Sequence, residues 1–355
     1  MPLLTFTDRG IYCARAKVYL DPWRPVQRAL ISHGHSDHAR WGHKHYLSTH
    51  RTAAIMRHRL GDINVESVGF GESRTINGVE FSFHPAGHII GSAQIRCAYK
   101  GEVWVFTGDY KLQDDGISEP FELVRCHSFI TETTFGLPIY RWRPQAEVVG
   151  EINDWWRANA AEGKTTLVTG YSLGKAQRII ANLDYSIGRV YTHGAIANMN
   201  EVLVSQGVDL PETTRVTKEV PRDDYPGNLV IAPPGALNGP WARKFKNAST
   251  GIASGWMALR GARRRRAVDR GFVLSDHCDW AALNTAIEAT GCENVFVTHG
   301  YTRIFSKWLR ERGYNAHVVS TEYEGESAEI GEGSAEKEAE AVAAAAAEPS
   351  ESTDT

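Results

Sequence analysis

The sequence predicts an α/β protein in which one domain is interrupted by another. Three observations predict it. The first part of the chain is rich in strand-like segments. From about Gln145 helical and strand patterns alternate. Residues of metal-ligand type recur at strand ends on both sides of a middle section, roughly Tyr140 to Gly261, that has none of comparable density. A site in the cleft between two such domains is the expected arrangement.

The densest signal is His33-Gly34-His35-Ser36-Asp37-His38, in which four of six residues are imidazoles or a carboxylate. Such ligands suit zinc, manganese or iron. The spacing does not put the four on one helical face. It suits a loop folded around two adjacent ions. Ala29-Leu30-Ile31 just before it reads as a buried strand, so the run leaves a strand end, where α/β proteins place their chemistry. The chain has 14 His, and isolated ones (His43, His45, His50, His58, His127) are read as structural or solvent-facing.

The elements follow from local pattern. Val79 to His84 alternates apolar and polar residues. Ala93 to Tyr99 and Glu102 to Thr107 flank a Lys100-Gly101 turn and read as a hairpin. Val148, Val149, Ile152, Trp155 and Trp156 form a helical stripe closed near Gly163. A strand at Thr165 to Thr169, a helix from near Leu173, a strand at Arg189 to Thr192 and a helix around Asn198 to Val204 come next. Pro233-Pro234-Gly235 and Gly239-Pro240 mark a loop. A strand at Phe272 to Leu274 leads into Ser275-Asp276-His277, and Asp279 is a plausible cap for a helix running to Gly291. A strand at Asn294 to Thr298, a helix at Arg303 to Arg312 and a strand at Ala316 to Ser320 complete the pattern.

Composition narrows the classes. At 355 residues the chain is long enough for two domains. It has no 18-residue apolar stretch, so no transmembrane helix is expected, and its first residues show no signal-peptide pattern. Five scattered cysteines without a CxxC pair point to a reducing cytoplasm rather than a disulfide framework. Cys278, beside His277, is near a motif, but a small packing residue is the simpler reading. The formal charge of −3 hides an asymmetry. The last 30 residues hold nine acidic residues and one Lys, which leaves 38 basic and 33 acidic residues in the rest. A mildly basic body is compatible with a polyanionic substrate. The Ala- and Glu-rich segment 324–355 has little to bury and is expected to be a disordered, solubilising tail.

Further ligand-type residues stand in strand-end contexts. His88 follows the strand Val79 to His84, Asp109 follows Glu102 to Phe106, and Glu132 follows Ser128-Phe129-Ile130. His277 and His299 each follow an apolar strand at a separation that fits one βαβ step.

His33-x-His35-x-Asp37-His38, then His88, then Asp109, resembles the metallo-β-lactamase superfamily. Asp21, after Val18-Tyr19-Leu20, resembles that family's early structural Asp, which supports the ligand loop from behind. Glu132 in Thr131-Glu132-Thr133-Thr134-Phe135-Gly136, His277 in Ser275-Asp276-His277 and His299 in Thr298-His299-Gly300 resemble the three extra motifs of the β-CASP nucleases. That group includes ribonuclease J, the pre-mRNA 3′-end cleavage endonuclease, Artemis and the crosslink-repair exonucleases. The resemblance runs in order from about residue 20 to about residue 320. It is strongest to the bacterial DNA ligase-associated exonucleases. The stretches carrying that are Tyr19-Leu20-Asp21-Pro22-Trp23-Arg24-Pro25, Thr134-Phe135-Gly136-Leu137-Pro138, Gly170-Tyr171-Ser172-Leu173-Gly174-Lys175, and Arg263 to Arg266 leading into Asp269-Arg270-Gly271.

The resemblance implies a metallo-β-lactamase αββα sandwich made of residues 1–139 and 262–323, with a β-CASP α/β domain inserted at 140–261. It implies that His33, His35 and His88 hold one divalent ion and Asp37, His38 and His299 a second, with Asp109 bridging; Zn²⁺ is expected, with Mn²⁺ the alternative. Two such ions roughly 3.5–4 Å apart activate a shared water and stabilise an in-line phosphoryl displacement. His277, oriented by Glu132, is the candidate general acid. The products would carry a 5′-phosphate and a 3′-hydroxyl.

Two segments are candidate substrate contacts. Ser172 and Lys175 lie at a strand-to-helix turn, where a hydroxyl, backbone N–H groups and a cation suit a phosphate, although an ordinary capped helix fits as well. Arg263 and Arg264 begin a run of four arginines that suits a polyanion. Tyr140, Trp142 and Trp256 are read as core aromatics before base-stacking ones.

The favoured function is a DNA exonuclease in end processing, working with an ATP-dependent DNA ligase and a helicase as the resemblance implies. The alternative is an RNA 5′-exonuclease or endonuclease. His299 supports the alternative, because the crosslink-repair and Artemis branch has an apolar residue at the last motif whereas RNA-acting members have His. A non-catalytic scaffold fits poorly, since every ligand position is retained.

Overall fold

The computed structural model describes residues 2–237, 239–259 and 268–323. The arginine run and the acidic tail lie outside the described residues.

Three sheets organise the chain. The first holds six strands in sequence order, β1 (Thr5–Thr7), β2 (Gly10–Cys13), β3 (Val18–Leu20), β4 (Arg28–Leu30), β5 (His45–Thr49) and β6 (Val65–Val68). From β3 to β6 the pairing is parallel. The second sheet holds β7 (Ser73–Ile76), β8 (Val79–Pro85), β9 (Ala93–Tyr99), β10 (Glu102–Phe106) and β11 (Ser128–Thr133), and then two late strands described below. The β9–β10 hairpin forms as its turn dictates: Lys100 (φ 48°) and Gly101 (φ 87°) both take the left-handed conformation that matches strand twist.

The third sheet is all parallel, in the order β14 (Thr214–Arg215), β13 (Val190–Thr192), β15 (Leu229–Ala232), β12 (Thr165–Thr169), β16 (Ala248–Ala253), β17 (Arg270–Phe272). Its central strands β12 and β15 are buried at every residue, as strands covered on both faces are. The late strands β18 (Asn294–Gly300) and β19 (Asn315–Val318) return to the second sheet, where β18 pairs with β11. The βαβ expectation linking His277 to His299 is therefore corrected. β17 belongs to the third sheet and β18 to the second, so the helix between them connects two sheets. Sequence spacing reports the length of a connection and not the sheet in which it ends.

The first two sheets share one core: Ile11, Val18, Leu20 and Leu47 from one face pack with Phe81, Phe83, Ile95 and Phe106 from the other. Helix α1 (His50–Leu60) covers the outer side of the first sheet through Met56, against Ala29 and Tyr46. The third sheet carries α2 (Gln145–Ala161), α3 (Lys175–Asn182) and α4 (Gly194–Ser205). The α2 stripe Val148, Ile152, Trp155 and Trp156 packs on Val168, Leu229 and Ile231. Helices α5 (Trp280–Thr290) and α6 (Thr302–Glu311) cover the outer side of the second sheet through Leu283, Ile287, Phe305 and Leu309. Asp279 caps α5 by accepting from Ala282 N–H at 2.8 Å, and Gly291 ends it in the left-handed conformation. Tyr140 and Trp256 are buried and Trp142 packs against the same cluster, so these aromatics are core residues. Cys278 is likewise buried in the core beneath α5. No helix of the described residues is long and apolar enough to cross a membrane.

Candidate metal centre

The ligand-type residues emerge at or just beyond the carboxyl ends of strands of the first two sheets. Asp21 follows β3, the run from His33 to His38 follows β4, His88 follows β8, and Asp109 follows β10. Glu132 lies in β11 and His299 near the end of β18. The third sheet adds two loops. Residues 170–174 after β12 reach His35, whose Nε2–H donates to Leu173 O at 3.1 Å. Residues 275–277, shortly after β17, bring in His277.

Asp109 stands at the middle. Its Oδ2 is 3.6 Å from His33 Nε2, 3.5 Å from His38 Nε2 and 3.8 Å from His88 Nε2, and its Oδ1 is 3.4 Å from His299 Nε2. Asp37 Oδ2 lies 3.7 Å from His38 Nε2. His35 Nδ1 and His88 Nε2 approach to 3.1 Å. One donor atom from each of His33, His35, His88 and Asp109 falls within 4.8 Å of all the others.

Each imidazole of the first group is held from behind by its other nitrogen. His33 Nδ1–H donates to Ser32 Oγ at 3.0 Å, and His88 Nδ1–H to Asp276 O at 2.7 Å. His38 Nδ1–H donates to Asp21 Oδ2 at 2.7 Å. Asp21 also accepts from Ser32 N–H at 2.7 Å and from the Ser32 hydroxyl, and it holds this post at a strained φ of 38°. These bonds fix the tautomers so that lone pairs turn inward, the usual support of metal-ligating histidines.

A cation fits this donor set on an independent ground. Among the described residues, eight buried side-chain polar atoms lack a hydrogen-bond partner, and four of them are here: His33 Nε2, His38 Nε2, Asp109 Oδ1 and His299 Nδ1. Buried polar atoms are otherwise almost always paired. Electrostatics agree. Burial, reinforced by neighbouring histidines, holds His33 and His88 well below the usual imidazole range, so both are neutral and ready to ligate. Burial also opposes protonation of His38, but Asp109, Asp37 and Asp21 outweigh it and raise its pKa to about 10. That shift records a strongly negative potential of the kind that attracts a cation.

Beside this cluster, His277 Nδ1–H donates to Glu132 Oε1 at 2.8 Å. Burial favours a neutral Glu132, yet the charge and hydrogen bond of His277, with help from His299 and Thr134, push its pKa down to about 2. Tyr110 N–H, Thr134 N–H and the Thr134 hydroxyl also bond to Glu132. Donor atoms of Asp109, Glu132 and His277 lie within 4.8 Å of one another, which puts this pair against the proposed ligands.

The remaining sequence candidates separate. Ser172 is half-buried and lines a cleft of about 370 Å³ with His35, Ser36, His58, Arg59 and Tyr171. Lys175 is corrected as a substrate contact: it is fully buried, with its ammonium 3.9 Å from Asp276 Oδ2. Gly174 N–H at the same turn is taken by Gln177 Oε1 at 2.8 Å. Arg263 and Arg264 lie outside the described residues. Four participants escaped the sequence reading. Ser32 and Thr134 brace His33 and Glu132. Tyr323 stacks on His38 (4.3 Å, 15°) and donates to Asp21 O at 2.9 Å. Arg178 is the fourth, its Nη1 donating to Ser275 O at 2.5 Å and to Asp276 Oδ1 at 3.1 Å.

Fold and site together define an α/β protein with a buried His/Asp centre at its strand ends. No protein-family model matches the chain. A probable DNA ligase of Opitutus terrae is 33% identical over 323 residues, covering 90% of this chain and 31% of that protein. An RNase J-like protein of Methanocaldococcus jannaschii is 25% identical over 220 residues, 51% of each chain. The endoribonuclease ysh1 of Aspergillus fumigatus is 29% identical over 129 residues, 34% of this chain and 14% of the other. The matches thus span about half or less of each of these relatives. A crystal structure of a protein of unknown function from Enterococcus faecalis V583 superposes with a TM-score of 0.57 at 11% identity, covering 83% of this chain and 80% of that one, which is a likeness of fold. These relatives bear out the resemblance to the β-CASP nucleases of the metallo-β-lactamase superfamily.

Proposed function

We propose that this chain is a two-metal phosphodiesterase acting as a DNA exonuclease in end processing, in company with a DNA ligase and a helicase. The carrying observation is the convergence of His33, His38, His88 and His299 on one buried carboxylate, Asp109, with His33 Nε2, His38 Nε2 and Asp109 Oδ1 buried and without a hydrogen-bond partner. His33, His35 and His88 would hold one ion and Asp37, His38 and His299 the other, with Asp109 between. Zn²⁺ suits this nitrogen-rich set, and Mn²⁺ is the alternative. Two ions bound there would supply an activated water and charge neutralisation at the phosphoryl oxygens.

The chain's own residues do the rest. Glu132 orients His277 through the 2.8 Å bond to Nδ1. His277 then delivers a proton to the departing sugar oxygen, leaving a 3′-hydroxyl and a 5′-phosphate. The shared core of the first two sheets, with helices outside both, supports the αββα sandwich of residues 1–139 and 262–323. The parallel third sheet supports an inserted β-CASP domain; it runs past the expected boundary at Gly261 to Phe272. Five buried free cysteines suit a reducing, cytoplasmic setting.

The relative named for DNA ligase favours DNA. A second reading, RNA cleavage, is favoured by His299 beside Asp109 and by the relatives named as ribonucleases. The test is cleavage of sequence-matched single-stranded DNA and RNA, labelled at either end, with Zn²⁺ or Mn²⁺ and with Asp37→Ala as the blank. Stepwise loss of DNA with RNA intact is expected. Preferential RNA cleavage selects the second reading, and no metal-dependent cleavage of either contradicts both.

A further inference from the structure

We propose that Arg178 of α3, acting through Asp276, is a positioning residue for the metal centre: a buried ionic strut by which the third-sheet layer sets the orientation of His88 and His277. This rests on the two-metal reading above.

The observation is a set of charges that neither the ligand set nor the acid–base pair uses. Lys111, Lys175 and Arg178 are all buried, and with them the carboxylates of Asp115 and Asp276. Removing such groups from water is costly, and apolar residues of similar volume often stabilise a fold at least as well. Stability therefore gives no reason for the cluster, whereas geometry does. All three guanidinium nitrogens of Arg178 are engaged. Nη1 donates to Ser275 O at 2.5 Å and to Asp276 Oδ1 at 3.1 Å, Nη2 to Gln113 Oε1 at 2.7 Å, and Nε to Gln145 Oε1 at 2.6 Å. A planar fork with four fixed acceptors holds its partners in direction as well as distance.

Those partners lead into the site. Asp276 precedes His277, and its backbone carbonyl is the acceptor that fixes His88 Nδ1–H at 2.7 Å. Gln113 belongs to the loop that carries Asp109. In the same loop, Lys111 N–H donates to Ala86 O at 3.0 Å, and its ammonium bonds to Asp115 Oδ2 at 2.6 Å and reaches His88 O at 3.5 Å. The cluster thus ties α3 to three loops at once, those of His88, Asp109 and His277.

The experiment compares wild type with Arg178→Met, Arg178→Lys and Asp276→Asn. Zn²⁺ affinity is measured against a chromophoric chelator, and kcat and KM on whichever nucleic acid the wild type cleaves. Arg178→Met is expected to keep its circular dichroism spectrum. Its Zn²⁺ affinity and kcat should fall about 10–100-fold, the usual cost of losing a group that orients a ligand. KM should stay near wild type, and Arg178→Lys should recover part of the loss. Wild-type affinity and kcat with only a lower melting temperature would overturn the proposal and leave Arg178 as interlayer packing. Should Arg178→Met fail to fold, Asp276→Asn, which keeps the backbone carbonyl facing His88, is read by the same criteria. A wild type that binds no Zn²⁺ and cleaves nothing removes the two-metal reading and this inference with it. An active wild type with unaffected variants removes this inference alone.

Discussion

His277 and Asp37 sit within one cluster, yet the proposed function gives them different work. His277 is committed through Nδ1 to Glu132, while Asp37 faces His38 Nε2 across 3.7 Å. Losing a general acid typically slows a reaction by about 10²–10⁴-fold. His277→Ala is therefore expected to keep two equivalents of metal and to lose cleavage by that factor. Asp37→Ala should lose metal as well as turnover while remaining folded. Metal analysis beside kcat checks both, and loss of an ion from His277→Ala would move His277 into the ligand set. The ligand-type residues were legible because few other residue types do this chemistry and their motifs are dense. Ser32, Thr134, Tyr323 and Arg178 were not, because each is of a common type whose role depends on what the fold sets beside it. Lys175 misled for the same reason: a lysine at a helix start suits a phosphate until the fold buries it against Asp276.

At the level of elements, the site depends on loops that pass within contact distance of each other at the strand ends. Gly87 shows how tight they are. At φ 73° a Cβ there would lie 2.1 Å from Lys111 O. Gly61, after α1, has a similar φ of 77° but nothing within 4 Å. Gly61 pairs that φ with a ψ of −143°, a backbone region essentially restricted to glycine that costs a side chain roughly 1–3 kcal/mol. Gly61→Ala should lose about that much and bind metal normally. Gly87→Ala should lose clearly more and bind Zn²⁺ more weakly, because the loops of His88 and Asp109 must separate. Urea midpoints with a Zn²⁺ titration distinguish the two, and equal midpoints with equal affinities contradict the packing argument. The hairpin, β12 and the capped helix α5 were legible because each carries its own local signal in a turn, a run rich in β-branched residues or a cap. Helix α1 was not: His50–Leu60 has no acidic residue in its first turn and buries only Thr52, Ala53, Ile55 and Met56. The pairing of β17 was also out of reach, since register is decided by partners distant in sequence.

Over the whole molecule, two sheets sharing one core hold the His33–His38 run opposite His88, Asp109 and His299, and the third sheet closes the site with residues 170–174 and 275–277. The return of β18 and β19 to the second sheet after the third agrees with ligand-type residues clustering on both sides of a middle section. Face-to-face packing was not legible, because alternation along a strand shows that a face is buried and not what covers it. The central claim is that this packing builds a centre for two ions around Asp109. Anomalous scattering from crystals grown with Zn²⁺ tests it most directly. Two peaks are expected: one about 2.0–2.2 Å from nitrogens of His33, His35 and His88, the other at that distance from Asp37, His38 and His299, each touching one oxygen of Asp109. A single peak, or peaks away from Asp109, would contradict it.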